Sequence, residues 1–193
     1  MYKRREVAIA ELVANCWDAG ATDVFVEVPV ANSYDRLTSR IMIRDTGCGM
    51  THEEVQQAYL VLGRNRRKDG GEEVQECLPL DFSNQPVGLH PASSSGGKKR
   101  RVMGRKGIGK LAGFGLAQRM TVTTWRDSIG LEFYLDLKDL KLEDNASEKV
   151  AIKWKWVDPL KAKSSSGTVV TLEVLKHKTA LDVEKLRLSL APV

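Results

Sequence analysis

Glu11, Asn15 and Asp18 stand at i, i+4 and i+7, which lines a carboxylate, an amide and a second carboxylate along one stripe of a helix. Such a stripe can orient a water and supply an oxygen to a hard cation such as Mg²⁺, which prefers octahedral oxygen ligands and keeps several of its own waters. That is the chemistry of nucleoside triphosphate hydrolysis. A second stretch, Asp45-Thr46-Gly47-Cys48-Gly49-Met50, sets a carboxylate beside two glycines that let backbone approach a flat ligand. Alone it is an ordinary strand-to-helix turn; paired with the first stretch it reads as a place where an exocyclic amine is recognised. In a third stretch, from Gly104, the run Gly107-Ile108-Gly109-Lys110-Leu111 opens a predicted helix to about Gln118. Its free N–H groups and positive end suit polyphosphate, with Lys106 and Lys110 as charge partners.

The elements that must position these residues follow from periodicity. Ile9, Leu12, Val13 and Cys16 take the spacing of a buried helix face. Val24, Val26 and Val28 alternate with Phe25 and Glu27 within a strand over 23–30, and Ile41 and Ile43 share one side of a strand over 40–44. The polar run 32–38 between them suits a hairpin. Thr51 with Glu54 makes a capping box for a helix reaching about Leu62. Residues 63–103 carry Pro79, Pro86, Pro91 and a Ser-Gly tract, and read as one long loop without structure, hence as functional. Strands are predicted over 120–125, 129–136, 151–157 and 168–175, and a short helix over 181–190. Trp154 and Trp156 share a strand face and are expected in the core. Helices followed by a run of antiparallel strands predict an α+β two-layer sandwich.

The three stretches in this order, and the wording Glu-Leu-Val-x-Asn-x-x-Asp-Ala-Gly-Ala-Thr, resemble the GHKL ATPases: DNA gyrase, the ninety-kilodalton heat-shock chaperones, histidine kinases and MutL. The resemblance implies a Bergerat-type ATP-binding fold, with the 63–103 loop as ATP lid, and the cofactors ATP and Mg²⁺. It implies that Glu11 polarises the attacking water, Asn15 binds Mg²⁺ and Asp45 bonds the adenine amino group. Asp18, Ala19, Gly47, Gly49 and Met50 then belong to the nucleotide surface, Lys106 to Leu111 to its phosphate end, and Thr168 to the adenine water network. Asp18-Ala19-Gly20-Ala21 is closer to the MutL and chaperone branches than to histidine kinases, and Gly107-Ile108-Gly109-Lys110 is closer to the chaperones.

With 193 residues, 42% hydrophobic and 28% charged, the chain has the size and composition of one globular domain. No apolar run approaches the ~20 residues of a membrane helix, and no secretory signal opens the sequence. A cytoplasmic protein is expected. Three cysteines without Cys-x-x-Cys spacing argue against a disulfide framework or zinc site; Cys16 reads as a small core residue and Cys48 as a site neighbour. The net charge of +5 is concentrated in Arg64 to Lys68 and Lys98 to Lys106, either a solvated loop or a contact for phosphates or nucleic acid. The first motif begins close to Met1, and the chain ends before the second domain that supplies a phosphate-binding lysine in gyrase and MutL. It therefore reads as a fragment of a longer protein. The expected function is Mg-dependent ATP hydrolysis driving lid closure and dimerisation; the alternatives are a histidine-kinase catalytic domain and an ATP-gated, nucleic-acid-associated module.

Overall fold

In the computed structural model the described residues are 5–56, 74–75, 100–101, 109–127, 129–141, 153–158 and 164–191. Helix α1 (Arg5–Asp18) is followed by the hairpin β1 (Val24–Glu27) and β2 (Ile41–Asp45), then by a single turn α2 (His52–Glu54). Two-residue strands β3 (Val74–Gln75) and β4 (Arg100–Arg101) pair with each other. A 3₁₀ helix (Gly109–Gly115) leads into β5 (Ala117–Arg126), β6 (Ile129–Asp136) and the turn α3 (Leu137–Lys141). Strands β7 (Trp154–Val157) and β8 (Gly167–Leu175) and helix α4 (Val183–Leu190) complete the order. One sheet of six strands runs β1-β2-β8-β5-β6-β7, and every pairing in it is antiparallel.

The register explains both the core and the site. On the inner face, Ile41, Leu172, Met120 and Leu135 form one cross-strand row, and Ile43, Val170, Val122 and Phe133 form the next. Against these rows pack Ala8, Ile9, Leu12 and Cys16 of α1 together with Leu186 of α4. Each large side chain so buried is worth about 1.5–3 kcal/mol, which fixes the register, since a one-residue slip would turn these rows to water. The third row is different: Asp45, Thr168 and Thr124 stand side by side where the apolar pattern would place aliphatic residues. The inner face therefore turns polar at one end. The outer face is polar throughout its middle, with Thr121 donating to Glu173 (2.9 Å), Thr123 to Glu132 (3.1 Å), and Lys155 paired with Glu132 (2.8 Å).

The α+β two-layer sandwich is thus borne out, as are the buried faces of α1 and β2, the β1 alternation and the Thr51–Glu54 capping box. Three expectations are corrected. The helix predicted to run to Gln118 is a 3₁₀ helix ending at Gly115, with β5 starting at Ala117. Glycines at 109, 113 and 115 each cost an α-helix about 1 kcal/mol, and from Ala117 onward the sheet offers ladder bonds instead. The 63–103 loop holds the β3–β4 pair and is not without regular structure; the rest of it lies outside the described residues, as does the continuation of α2 beyond Gln56. Trp154 and Trp156 are 42% and 57% exposed and not core. Their strand β7 pairs with Phe133 and Leu131 of β6 at the end of the sheet order, and the two indoles pack on each other and on the His52 ring instead.

Candidate functional site

Helix α1 carries one end of the site on its middle and the other on its last turn. In the middle, Glu11 and Asn15 face the start of the 3₁₀ helix: a Cβ added to Gly109 would lie 3.2 Å from Glu11 Oε2 and 3.5 Å from Asn15 Oδ1. The backbone at Gly109 thus closes on the carboxylate and amide of the first motif. A side chain added at 109 would crowd the Glu11 carboxylate first. Leu111 is turned into the core, and Lys110 lies in the 3₁₀ segment. Lys106, Gly107 and Ile108 fall outside the described residues. Residues 109–115 are 3₁₀ and not α-helical, so the expected helix-dipole contribution to phosphate binding has no counterpart among the described residues.

At its C-terminal end α1 meets the loop after β2. Asp18 is the last residue of α1, and the Cys48 amide donates to Ala19 O at 2.9 Å. Asp45, nearly fully buried, accepts through Oδ1 from the Gly47 amide (2.8 Å) and the Thr168 amide (3.2 Å). Thr168 and Thr124 share a hydroxyl contact at 3.2 Å, and Thr124 Oγ1 accepts from the Met50 amide at 2.8 Å. Ser166 donates to Gly47 O at 2.8 Å. Gly49 takes φ +63°, and any side chain there would run into the Trp125 carbonyl. Glycine is required on both counts. No buried side-chain nitrogen or oxygen among the described residues lacks a partner, so this polar row is internally satisfied although it occupies core positions.

Burial raises the Asp45 carboxyl above its ordinary value of 3.8, against the lowering effect of its hydrogen bonds with Gly47, Cys16 and Thr168. The Cys16 thiol beside it is pushed well up, first by burial and then by the Asp45 charge, and donates to Leu12 O at 3.3 Å. It is a packing group and not a nucleophile. Among the described residues no three His, Cys, Asp or Glu side chains converge as a metal cage. The Asn15 amide oxygen beside Gly109 is a hard donor of the kind that Mg²⁺ accepts.

The structure therefore brings together Glu11, Asn15 and Gly109 at one end, and Ala19, Asp45, Gly47, Gly49, Met50 and Thr168 at the other. Sequence reasoning missed Thr124, Ser166, Glu54 and Arg126. Thr124 carried a signal, a polar residue at an inward position after Met120 and Val122, and Glu54 was legible only as the capping-box partner of Thr51; Ser166 and Arg126 carried none.

Over residues 2–168 the sequence matches the family described as "Histidine kinase-, DNA gyrase B-, and HSP90-like ATPase". The chain belongs to this family, and membership implies ATP binding. Among particular proteins, it is 31% identical over 182 residues to "Putative type II restriction enzyme HgiDII" of Herpetosiphon aurantiacus, covering 94% of this chain and 24% of that protein. It is 28% identical over 135 residues to "Chaperone protein HtpG" of Gluconobacter oxydans (strain 621H), covering 64% of this chain and 19% of that one. The chain spans about a quarter or less of the length of these relatives.

Proposed function

We propose that this domain binds ATP with Mg²⁺ and hydrolyses it, and that the nucleotide state drives lid closure and dimerisation in a larger protein. The observation that carries the reading is the placement along α1. Ala19 lies eight positions after Glu11, about 12 Å at the helical rise. That is the reach of a nucleoside triphosphate from base to terminal phosphate. At the Ala19 end, the Asp45 carboxylate is the acceptor that would read an amino group while Oδ1 is held by the loop, and the glycine turn would give a flat base access. At the Glu11 end, Asn15 Oδ1 is the oxygen that would hold Mg²⁺, which when bound neutralises phosphate charge. Glu11 orients the attacking water and accepts its proton. The segment 63–103, rich in Lys, Arg, Pro and Gly, is assigned the lid from its composition.

A histidine-kinase activity is the less favoured reading, on the Asp18-Ala19-Gly20-Ala21 wording. Similarity to a protein named a restriction enzyme, together with the excess positive charge, favours a second setting in which ATP gates contact with nucleic acid; affinity for DNA falling steeply with salt would mark it.

The test of the main reading is Asp45→Asn. An asparagine can keep Oδ1 on the Gly47 and Thr168 amides, and then turns an NH₂ toward the adenine amine. Donor against donor costs about 1–3 kcal/mol, roughly five- to a hundredfold in affinity. Calorimetry with a non-hydrolysable ATP analogue and Mg²⁺ reads this, with the GTP analogue alongside. Unchanged affinity in the variant, or equal affinity of the wild type for both purines, overturns the adenine assignment.

A further inference from the structure

We infer that Arg126, the last residue of β5, is a positioning residue that sets the purine-reading loop before any nucleotide arrives. This rests on the ATP reading above and extends it to a residue that touches no ligand. Residues 46–50 belong to no helix or strand, so hydrogen bonds to their carbonyls come from outside the ladders. The Arg126 guanidinium supplies them: Nε donates to Cys48 O at 2.8 Å and Nη2 to Gly49 O at 2.7 Å. Its third arm, Nη1, donates to Glu54 Oε1 at 3.0 Å, and Glu54 Oε2 in turn accepts from the Thr51 amide at 2.8 Å. Two residues earlier on the same strand, Thr124 accepts the Met50 amide.

One strand therefore grips Cys48, Gly49 and Met50 in succession, while Glu54 ties the same guanidinium to the start of α2. Both charged side chains are mostly buried, 21% and 10% exposed, so the pair acts in a low dielectric where a charge-assisted fork is worth most. The chemistry demands arginine. Three acceptors lie in three directions around one planar group, and a lysine ammonium on the same stem reaches at most part of that set. What the fork holds still is the backbone that follows Asp45, including the Gly47 amide that aims its carboxylate. Loosening it should cost discrimination between purines and not only affinity.

The experiment measures binding of non-hydrolysable ATP and GTP analogues with Mg²⁺ to the 193-residue chain and two variants. Arg126→Lys keeps the charge and breaks the fork; Arg126→Met combined with Glu54→Gln removes both charges, so that no buried carboxylate is orphaned. In each, affinity for the ATP analogue should fall about tenfold, the worth of roughly one charge-assisted hydrogen bond, and the preference for ATP over GTP should shrink by a similar factor. Preserved preference, or rescue of wild-type affinity by lysine, would show a merely structural or a purely Coulombic role and overturn the inference while leaving the ATP reading intact. A wild type that binds neither analogue, or both equally, overturns the ATP reading and this inference with it. Amide hydrogen exchange of the nucleotide-free wild type needs no variant. The Cys48 and Met50 amides should exchange as slowly as those of β5, and exchange at the rate of an open loop would refute a preset turn.

Discussion

Adding one methyl group at Gly109 should leave the fold standing and disable the chemistry. Gly109 lies outside the left-handed region, so Gly109→Ala meets no backbone strain and, by restricting the unfolded chain, stabilises by about 0.4–1 kcal/mol. Against this stands a contact of 3.2 Å between the new Cβ and Glu11 Oε2, the far end of a flexible side chain. Moving that carboxylate off its rotamer costs about 0.5–1.5 kcal/mol. The two terms nearly cancel, and for a chain of this size Tm should move by about 4 °C or less. Function is less forgiving. A carboxylate pushed aside by a few tenths of an ångström loses its line on the attacking water, which costs up to about 10²-fold in turnover. The distance from the same Cβ to Asn15 Oδ1, 3.5 Å, is an ordinary contact, so analogue binding with Mg²⁺ should stay within about threefold of wild type. Phosphate release, calorimetry and thermal melting together read the outcome. Wild-type turnover would show that Gly109 and Glu11 do not meet at the reacting centre, and a loss of binding as large as the loss of rate would show that the methyl group strikes the phosphates instead.

Two further outcomes are expected. Glu11→Ala should slow turnover by about 10²–10⁴-fold with analogue binding nearly intact, because the residue acts on the water; equal losses in rate and binding would make it structural. Asp45 titrates above 3.8 because burial opposes its charge, and it must be ionised to accept from the adenine amine, so ATP affinity should begin to fall on acidification before pH 3.8 is reached. The nucleotide-free fold has the opposite dependence: a folded-state value above the unfolded one favours folding at low pH, and that contribution is lost as pH rises through the folded-state value. Melting curves with and without nucleotide across this range should therefore converge toward acid, and parallel curves would remove Asp45 from the ligand contact.

The local placement of these side chains was legible in the sequence because it is written in short range. The helix stripe of Glu11 and Asn15, the Asp45 turn and the capping box depend on neighbours within a few residues. Alternation along β1 and β2 likewise reports which side faces the core. The failures share one cause, distance along the chain. Trp154 and Trp156 have the composition of core residues, and only their place at the end of the strand order, with His52 as cover, leaves them exposed. Gly109 to Gly115 reads as a helix start until Ala117 finds β6 and β8 and the backbone bonds go to the sheet. Arg126 gave no local sign at all, since its three acceptors come from a loop and a helix turn more than seventy residues earlier. Sequence determined which residues carry acid, amide and glycine. The antiparallel register decided that Asp45, Thr168 and Thr124 lie in one row, because cross-strand hydrogen bonds set neighbours that periodicity within a single strand cannot specify.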